Sequence, residues 1–140
     1  MTVYGAAVVS QKAVSNQDAA LGPPESVELL GAEVNAIGGY IIIDMGALLP
    51  AGTYTFQHKA LLDSGRVTPD VGVSFSADGV NFGPASLFTF DSIDTWEIES
   101  IFTSGGIRYV NYAVTAEGGI PSDQNAVLES IAFNAGSTSR

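Results

Sequence analysis

The stretch Val71–Asn81, reading VGVSFSADGVN, constrains the fold of this chain more than any other segment. Val71, Val73 and Phe75 alternate with Gly72, Ser74 and Ser76, and Asp78-Gly79 follows. A period of two sends alternate side chains to opposite sides of an extended backbone, and Asp-Gly suits a tight hairpin turn. The segment therefore reads as a half-buried strand entering a hairpin. The same rhythm recurs along the chain. Tyr40–Met45 is a continuous apolar run, the pattern of a strand buried on both faces. Thr53–Leu62 puts Tyr54, Phe56 and His58 on one side and Thr55, Gln57 and Lys59 on the other. Thr95–Phe102 sets Trp96, Ile98 and Ser100 against Glu97, Glu99 and Ile101, and Ile107–Thr115 sets Tyr109 and Asn111 against Val110, Tyr112 and Val114. With Val3–Val14, Leu87–Asp91 and Ala126–Phe133 this makes about eight strands at roughly 8–12-residue spacing, the rhythm of a sandwich or jelly roll. No segment sustains helical periodicity. The expectation is an all-β, two-sheet antiparallel jelly-roll β-sandwich, with one domain over residues 1–133 and a flexible small-residue tail over 134–140.

Charge narrows the partners. Five Lys and Arg against fifteen Asp and Glu give a net charge of −10. So few cations, spread along the whole chain, build no basic patch, which argues against nucleic acid and against an anionic membrane surface. The acidic balance fits solubility, divalent cations or a basic protein partner. There are no cysteines, so disulfides, thiolate catalysis and cysteine-ligated zinc are excluded. Met1-Thr2-Val3-Tyr4 lacks the basic start and apolar core of a signal peptide, so the expectation is a chain that stays in the cytoplasm, leaves by lysis or a dedicated route, or is a mature fragment with a new Met1. Gly38–Leu49 is too short and too Gly-interrupted to span a bilayer. Only 14% of residues are charged, which suits either a surface covered in use or a plain sandwich faced with Ser, Thr, Asn and Gly.

Four segments, in order, carry a family resemblance. Asn16-Gln17-Asp18-Ala19-Ala20-Leu21-Gly22-Pro23-Pro24 is a turn and loop; Gly38-Gly39 precedes a hydrophobic strand ending in Asp44-Met45-Gly46. Ser76-Ala77-Asp78-Gly79 is followed by the aromatic Phe82, and Arg108-Tyr109-Val110 opens a later strand. Over roughly Asn16 to Phe133 the chain resembles the galactose-binding-like, discoidin-type jelly roll, common in carbohydrate-binding and cell-surface modules. Many members hold a structural calcium between the opening loop and the last strand. The resemblance implies Asn16, Asp18 and Glu129 as its ligands, set against a plainer reading in which they cap a loop or face solvent. No other cofactor is expected.

The residues supply no catalytic constellation. His58 is the only histidine and shares a strand side with Tyr54 and Phe56, so it reads as a satisfied or solvent-edge strand histidine. Glu97 and Glu99 stand about 7 Å apart on one strand, a glycosidase-like separation, but a solvated outer face explains them without a site. No glycine loop leads into a helix to cradle phosphate. For a sugar, Trp96, Tyr112 and Phe82 are the candidate ligand-binding residues, with Tyr40 as a weaker one. Mid-strand Trp96 reads more readily as core. The loops Asn16–Pro24, Asp78–Gly83 and Glu117–Asn125, expected at one end of the sandwich, hold few aromatics.

Two functional expectations follow, neither of them enzymatic. The first is a virion protein, a capsid decoration or cement subunit that binds the shell and forms a homotrimer, with Val3–Val9 and the 134–140 tail as arms for a neighbour. The alternative is an extracellular carbohydrate-binding or adhesive module of a phage tail or cell surface.

Overall fold

The computed structural model describes residues 2–15, 20–21, 32–34, 38–61, 70–89, 95–115 and 125–135. They form eleven strands in two antiparallel sheets: β1 (Thr2–Tyr4), β2 (Ala7–Lys12), β3 (Val14–Ser15), β4 (Ala32–Val34), β5 (Tyr40–Leu49), β6 (Gly52–Leu61), β7 (Asp70–Ser76), β8 (Ser86–Phe88), β9 (Glu97–Thr103), β10 (Ile107–Thr115) and β11 (Asn125–Ala135). One sheet runs β3-β4-β11-β6-β9, with β1 also on β11; the other runs β2-β5-β10-β7-β8. The all-β sandwich is as the sequence rhythm requires. Among the described residues no helix is long and apolar enough to cross a membrane.

Each central strand buries one side. Ile41, Ile43 and Met45 of β5, Val71 and Val73 of β7, and Val110, Tyr112 and Val114 of β10 face Tyr54, Phe56 and Ala60 of β6 and Leu128, Ile131 and Phe133 of β11. The sheets meet through aromatic rings: Tyr54 with Phe75 at 4.8 Å, and Phe56 edge-on to Tyr112 at 5.9 Å and to Phe88 at 5.6 Å. Offset and edge contacts of this kind add to the burial energy of the rings themselves.

The structure corrects several element-level expectations. The apolar run of β5 is buried on one side only: Ile42 sits half-buried on the outer face, paired with Ser10 and Asn111. The single opening strand is three strands that change sheets twice. β1 pairs β11 in one sheet, β2 pairs β5 in the other, and β3 returns to pair β4. Gly5 sits at the first crossing, where a Cβ would stand 2.6 Å from Ile43 Cγ2, and Ala13 at the second adopts φ 59°. Asn134 and Ala135, expected in the tail, belong to β11; residues 136–140 lie outside those described. The Asp78-Gly79 turn is part of a longer connection, residues 77–85, between β7 and β8.

Of the three loops expected at one end, Asn16–Pro24 and Glu117–Asn125 lie almost wholly outside the described residues. Ser76 pairs with Tyr109 at the start of β10, whereas Asp70 pairs with Thr115 at its end. Residues 77–85 therefore leave the sheet at the end opposite to that where β10 finishes.

Candidate functional site

The register of β6 and β9 decides which side chains of β9 reach solvent. Tyr54 pairs with Ile101, Phe56 with Glu99 and His58 with Glu97, and residues directly opposite one another share a sheet face. Tyr54, Phe56 and His58 are core residues, so Glu97, Glu99 and Ile101 point inward. Ile98, Ser100 and Phe102 point outward, with Ile98 67% and Phe102 57% exposed. This reverses the expected faces of the strand: the glutamates are not a solvated outer pair, and Ile98 is not core.

The reason is His58. Its side chain is fully buried, with Nδ1 2.8 Å from the Tyr112 hydroxyl and Nε2 3.2 Å from Glu99 Oε2. A carboxylate only accepts, so Nε2–H donates to Glu99 and the Tyr112 O–H donates to Nδ1. One chain of hydrogen bonds thus spans the core from one sheet to the other. Burial pushes the His58 pKa down to about 4, against a smaller upward pull from Glu97, and burial pushes the Tyr112 hydroxyl up. The histidine is the satisfied strand residue that its neighbours on β6 predict.

Outside, β6 and β9 present a mixed row. Thr55 and Gln57 lie opposite Ser100 and Ile98, while Thr53, opposite Phe102, is buried. Thr55 Oγ1 and Ser100 Oγ are 3.4 Å apart. One step beyond the ladder, the Lys59 ammonium stands over the Trp96 ring, 4.7 Å from its centroid. Trp96 is half-buried just before β9 and belongs to this outer row, in place of the expected core position. Successive outward residues on one strand lie about 7 Å apart, so Trp96, Ile98, Ser100 and Phe102 run for about 20 Å along an edge strand of the sheet. Aromatic and aliphatic surface interleaved with hydroxyl, amide and ammonium groups can stack on a ring and bond its substituents.

The other expected binding residues are dispersed. Tyr112 is fully buried and offers no ring face to a ligand; its hydroxyl is spent on His58. Phe82 is half-buried in the 77–85 loop, which leaves the sandwich at the end where β9 finishes, away from Trp96. Asn16 and Asp18 lie outside the described residues, as does the side chain of Glu129, whose position falls within an irregularity of β11 between Leu128 and Ile131. Among the described residues no three His, Cys, Asp or Glu side chains are grouped to hold a metal.

Two segments of the sequence resemblance do meet. Arg108 Nε and Nη2 donate to Asp44 Oδ1 and Oδ2 at 2.9 and 3.1 Å, a bidentate pair. Arg108 holds the Asp44 carboxyl below the usual carboxylate range, helped by the Gly46 N–H at 2.8 Å. A third segment builds its own turn. Asp78 accepts N–H groups from Val80 and Asn81, the Asn81 side-chain amide and the Ser76 hydroxyl, which hold its carboxyl far below the ordinary range.

No protein-family model matches this chain, and no curated protein matches it in sequence. Solved structures do match in fold. The carbohydrate-binding module CBM32 of AlyQ, in complex with 4,5-unsaturated mannuronic acid, superposes with a TM-score of 0.63 at 14% identity, over 96% of this chain and 98% of that one. The K3 cleaved adhesin domain of Lys-gingipain from Porphyromonas gingivalis W83 gives 0.61 at 14% identity, over 95% and 98%. A K85A mutant of CBM29-2, a family 29 carbohydrate-binding module, gives 0.53 at 6% identity, over 74% and 70%. At such identities the likeness is one of fold, a β-sandwich of the kind found in carbohydrate-binding and adhesin modules.

Proposed function

We propose that this chain is a non-catalytic carbohydrate-binding or adhesive module acting outside the cell or at a cell surface, and that its glycan lies along the outer face of β6 and β9. The observation that carries this reading is Trp96: the register turns the only tryptophan outward, beside Lys59 and Gln57 and in line with exposed Ile98 and Phe102. The CBM32 and CBM29 modules that share the fold bind carbohydrate, which supports the ligand class without locating the site. The virion-decoration reading draws no such support, since none of the structures named above is a capsid protein. A capsid partner and a homotrimer therefore form no part of the proposal.

A glycan array followed by calorimetry tests it. Wild-type chain binds at least one oligosaccharide, Trp96→Ala weakens that binding about tenfold or more, and Trp96→Phe recovers part of the loss, as expected for a stacking contact of about 1–2 kcal/mol. A blank array, or equal affinity for Trp96→Ala with unchanged circular dichroism, overturns the reading.

A further inference from the structure

Lys59 and Trp96 close the outer row of β6 and β9. The ladder pairs Thr55 with Ser100, Gln57 with Ile98 and His58 with Glu97, so the next step sets Lys59 across from Trp96. Both are half-buried on the outer side of the sheet. The carboxylates of β9, Glu97 and Glu99, are turned to the inner side, where Glu99 is bonded to His58. Glu33 of β4 lies on the outer side but two strands from Lys59, with Val127 of β11 between them in the register. Lys59 forms no ion pair among the described residues. Its ammonium stands instead over the Trp96 ring, 4.7 Å from the centroid.

An accessible indole on an acidic chain faces a competition. The negative face of tryptophan is the best aromatic seat for an ammonium or guanidinium group. A net charge of −10 draws such groups from solution towards the whole surface. An unguarded Trp96 ring would therefore take cations as readily as sugar. Lys59 supplies the cation from within the chain. Its ammonium reaches the ring at the high effective concentration of a tethered group, and its charge repels a second cation from the same ring. A neutral sugar meets no such repulsion, because it stacks through C–H groups on the ring face that the ammonium leaves open. The ammonium also keeps its N–H groups as donors for the hydroxyls of a sugar seated beside it.

We infer that Lys59 is the specificity-determining residue of the Trp96 row: it fills the cation seat of the ring with its own ammonium and reserves the row for uncharged sugars. The inference rests on the reading of that row as the glycan site. It is separable from plain packing. A lysine stem that only covered the ring would shield it by its CH2 groups, with or without a charge, whereas only the charge turns away an external cation.

Two substitutions test it in the full chain. Lys59→Met keeps an unbranched stem and removes the charge; Lys59→Arg keeps the charge. Trp96 is the only tryptophan, so intrinsic fluorescence reports this ring alone. Each protein is titrated with tetramethylammonium chloride at constant ionic strength, and with a neutral oligosaccharide that binds on the array. The expected result is no saturable response to tetramethylammonium in wild type or Lys59→Arg, and a saturable one in Lys59→Met. The ratio of sugar to tetramethylammonium affinity should fall about tenfold or more in Lys59→Met alone. Equal responses to tetramethylammonium in wild type and Lys59→Met, whether both bind or neither does, overturn the inference. So does Lys59→Arg behaving as Lys59→Met, because the charge is then not what guards the ring. Exclusion of tetramethylammonium by Lys59 and Arg, with no sugar bound by any of the three proteins, upholds the cation seat and overturns the glycan reading.

Discussion

His58 shows how one side chain sets both the stability and the exterior of the molecule. It lies in the core among Phe56, Phe88 and Tyr112, with ring centroids 5.2, 6.2 and 5.7 Å away, and its neutral form is the one that fits. Its folded pKa of about 4 lies below the ordinary 6.5, so the folded state binds fewer protons than the unfolded one between those values. The sign is fixed: this group leaves stability unchanged above pH 6.5 and withdraws it progressively as pH falls towards 4. The full loss is about 3 kcal/mol. Urea unfolding at pH 7.0, 6.0, 5.0 and 4.0 checks this, with His58→Gln as control. The variant should be about 1–3 kcal/mol less stable at neutral pH, because the Tyr112 and Glu99 partners lose their geometry, yet show a flatter slope between pH 6.5 and 4. An equal slope in both proteins would remove His58 as the cause.

At the scale of elements, the opening segment works as a stitch between the sheets. β1 closes one sheet against β11, the chain crosses at Gly5, and β2 closes the other against β5. The crossing is tight, with Ile43 Cγ2 2.6 Å and Leu21 Cδ2 3.2 Å from a virtual Gly5 Cβ. Gly5→Ala should cost about 1–3 kcal/mol by overpacking, and Gly5→Val more, measured as lost thermal stability; an unchanged midpoint would show that the crossing is free to move. Little of this is legible in the sequence. Val3–Val14 reads as one strand because alternation reports which residues are apolar and says nothing about which sheet they join. The face of β9 differs from its alternation for a related reason. Trp96 and Ile98 alternate with Glu97 and Glu99, and apolar-in, charge-out is the cheaper default. What reverses it is non-local: Ile101 and Phe102 are both apolar, so the strand can fill the core from either side, and a buried histidine on β6 requires a carboxylate across from it. The signal was present in His58 sharing a side with Tyr54 and Phe56, but its partner needed the register. By contrast the sides of β10 are legible from Val110-Tyr112-Val114 and those of β7 from Val71-Val73, but β7 is not the half-buried hairpin strand its alternation suggests: Ser74 and Ser76 on its outer side are buried too, next to the 77–85 connection. The meeting of Asp44 with Arg108, 64 residues apart, is not legible in the sequence and comes from the pairing of β5 with β10.

For the whole molecule, net charge decides which glycans the outer face of β6 and β9 can admit. Fifteen acidic and five basic residues give a field that opposes an anionic polymer, and the lysine of the β6–β9 row, Lys59, is engaged on Trp96. The shared fold of the AlyQ module, seen with an unsaturated uronic acid, does not transfer that preference at 14% identity, because the groups that would meet a carboxylate are side chains and the likeness is in the backbone. Ionic strength separates the cases. Binding to a neutral oligosaccharide gains no long-range attraction, so its affinity should change less than about twofold between about 20 mM and 500 mM NaCl. Binding to a uronate polymer of equal length should be weaker at low salt and strengthen as screening shortens the Debye length from about 20 Å to about 4 Å. The opposite trend, tight uronate binding that salt weakens, would require a local cluster of free cations on the ligand-facing surface.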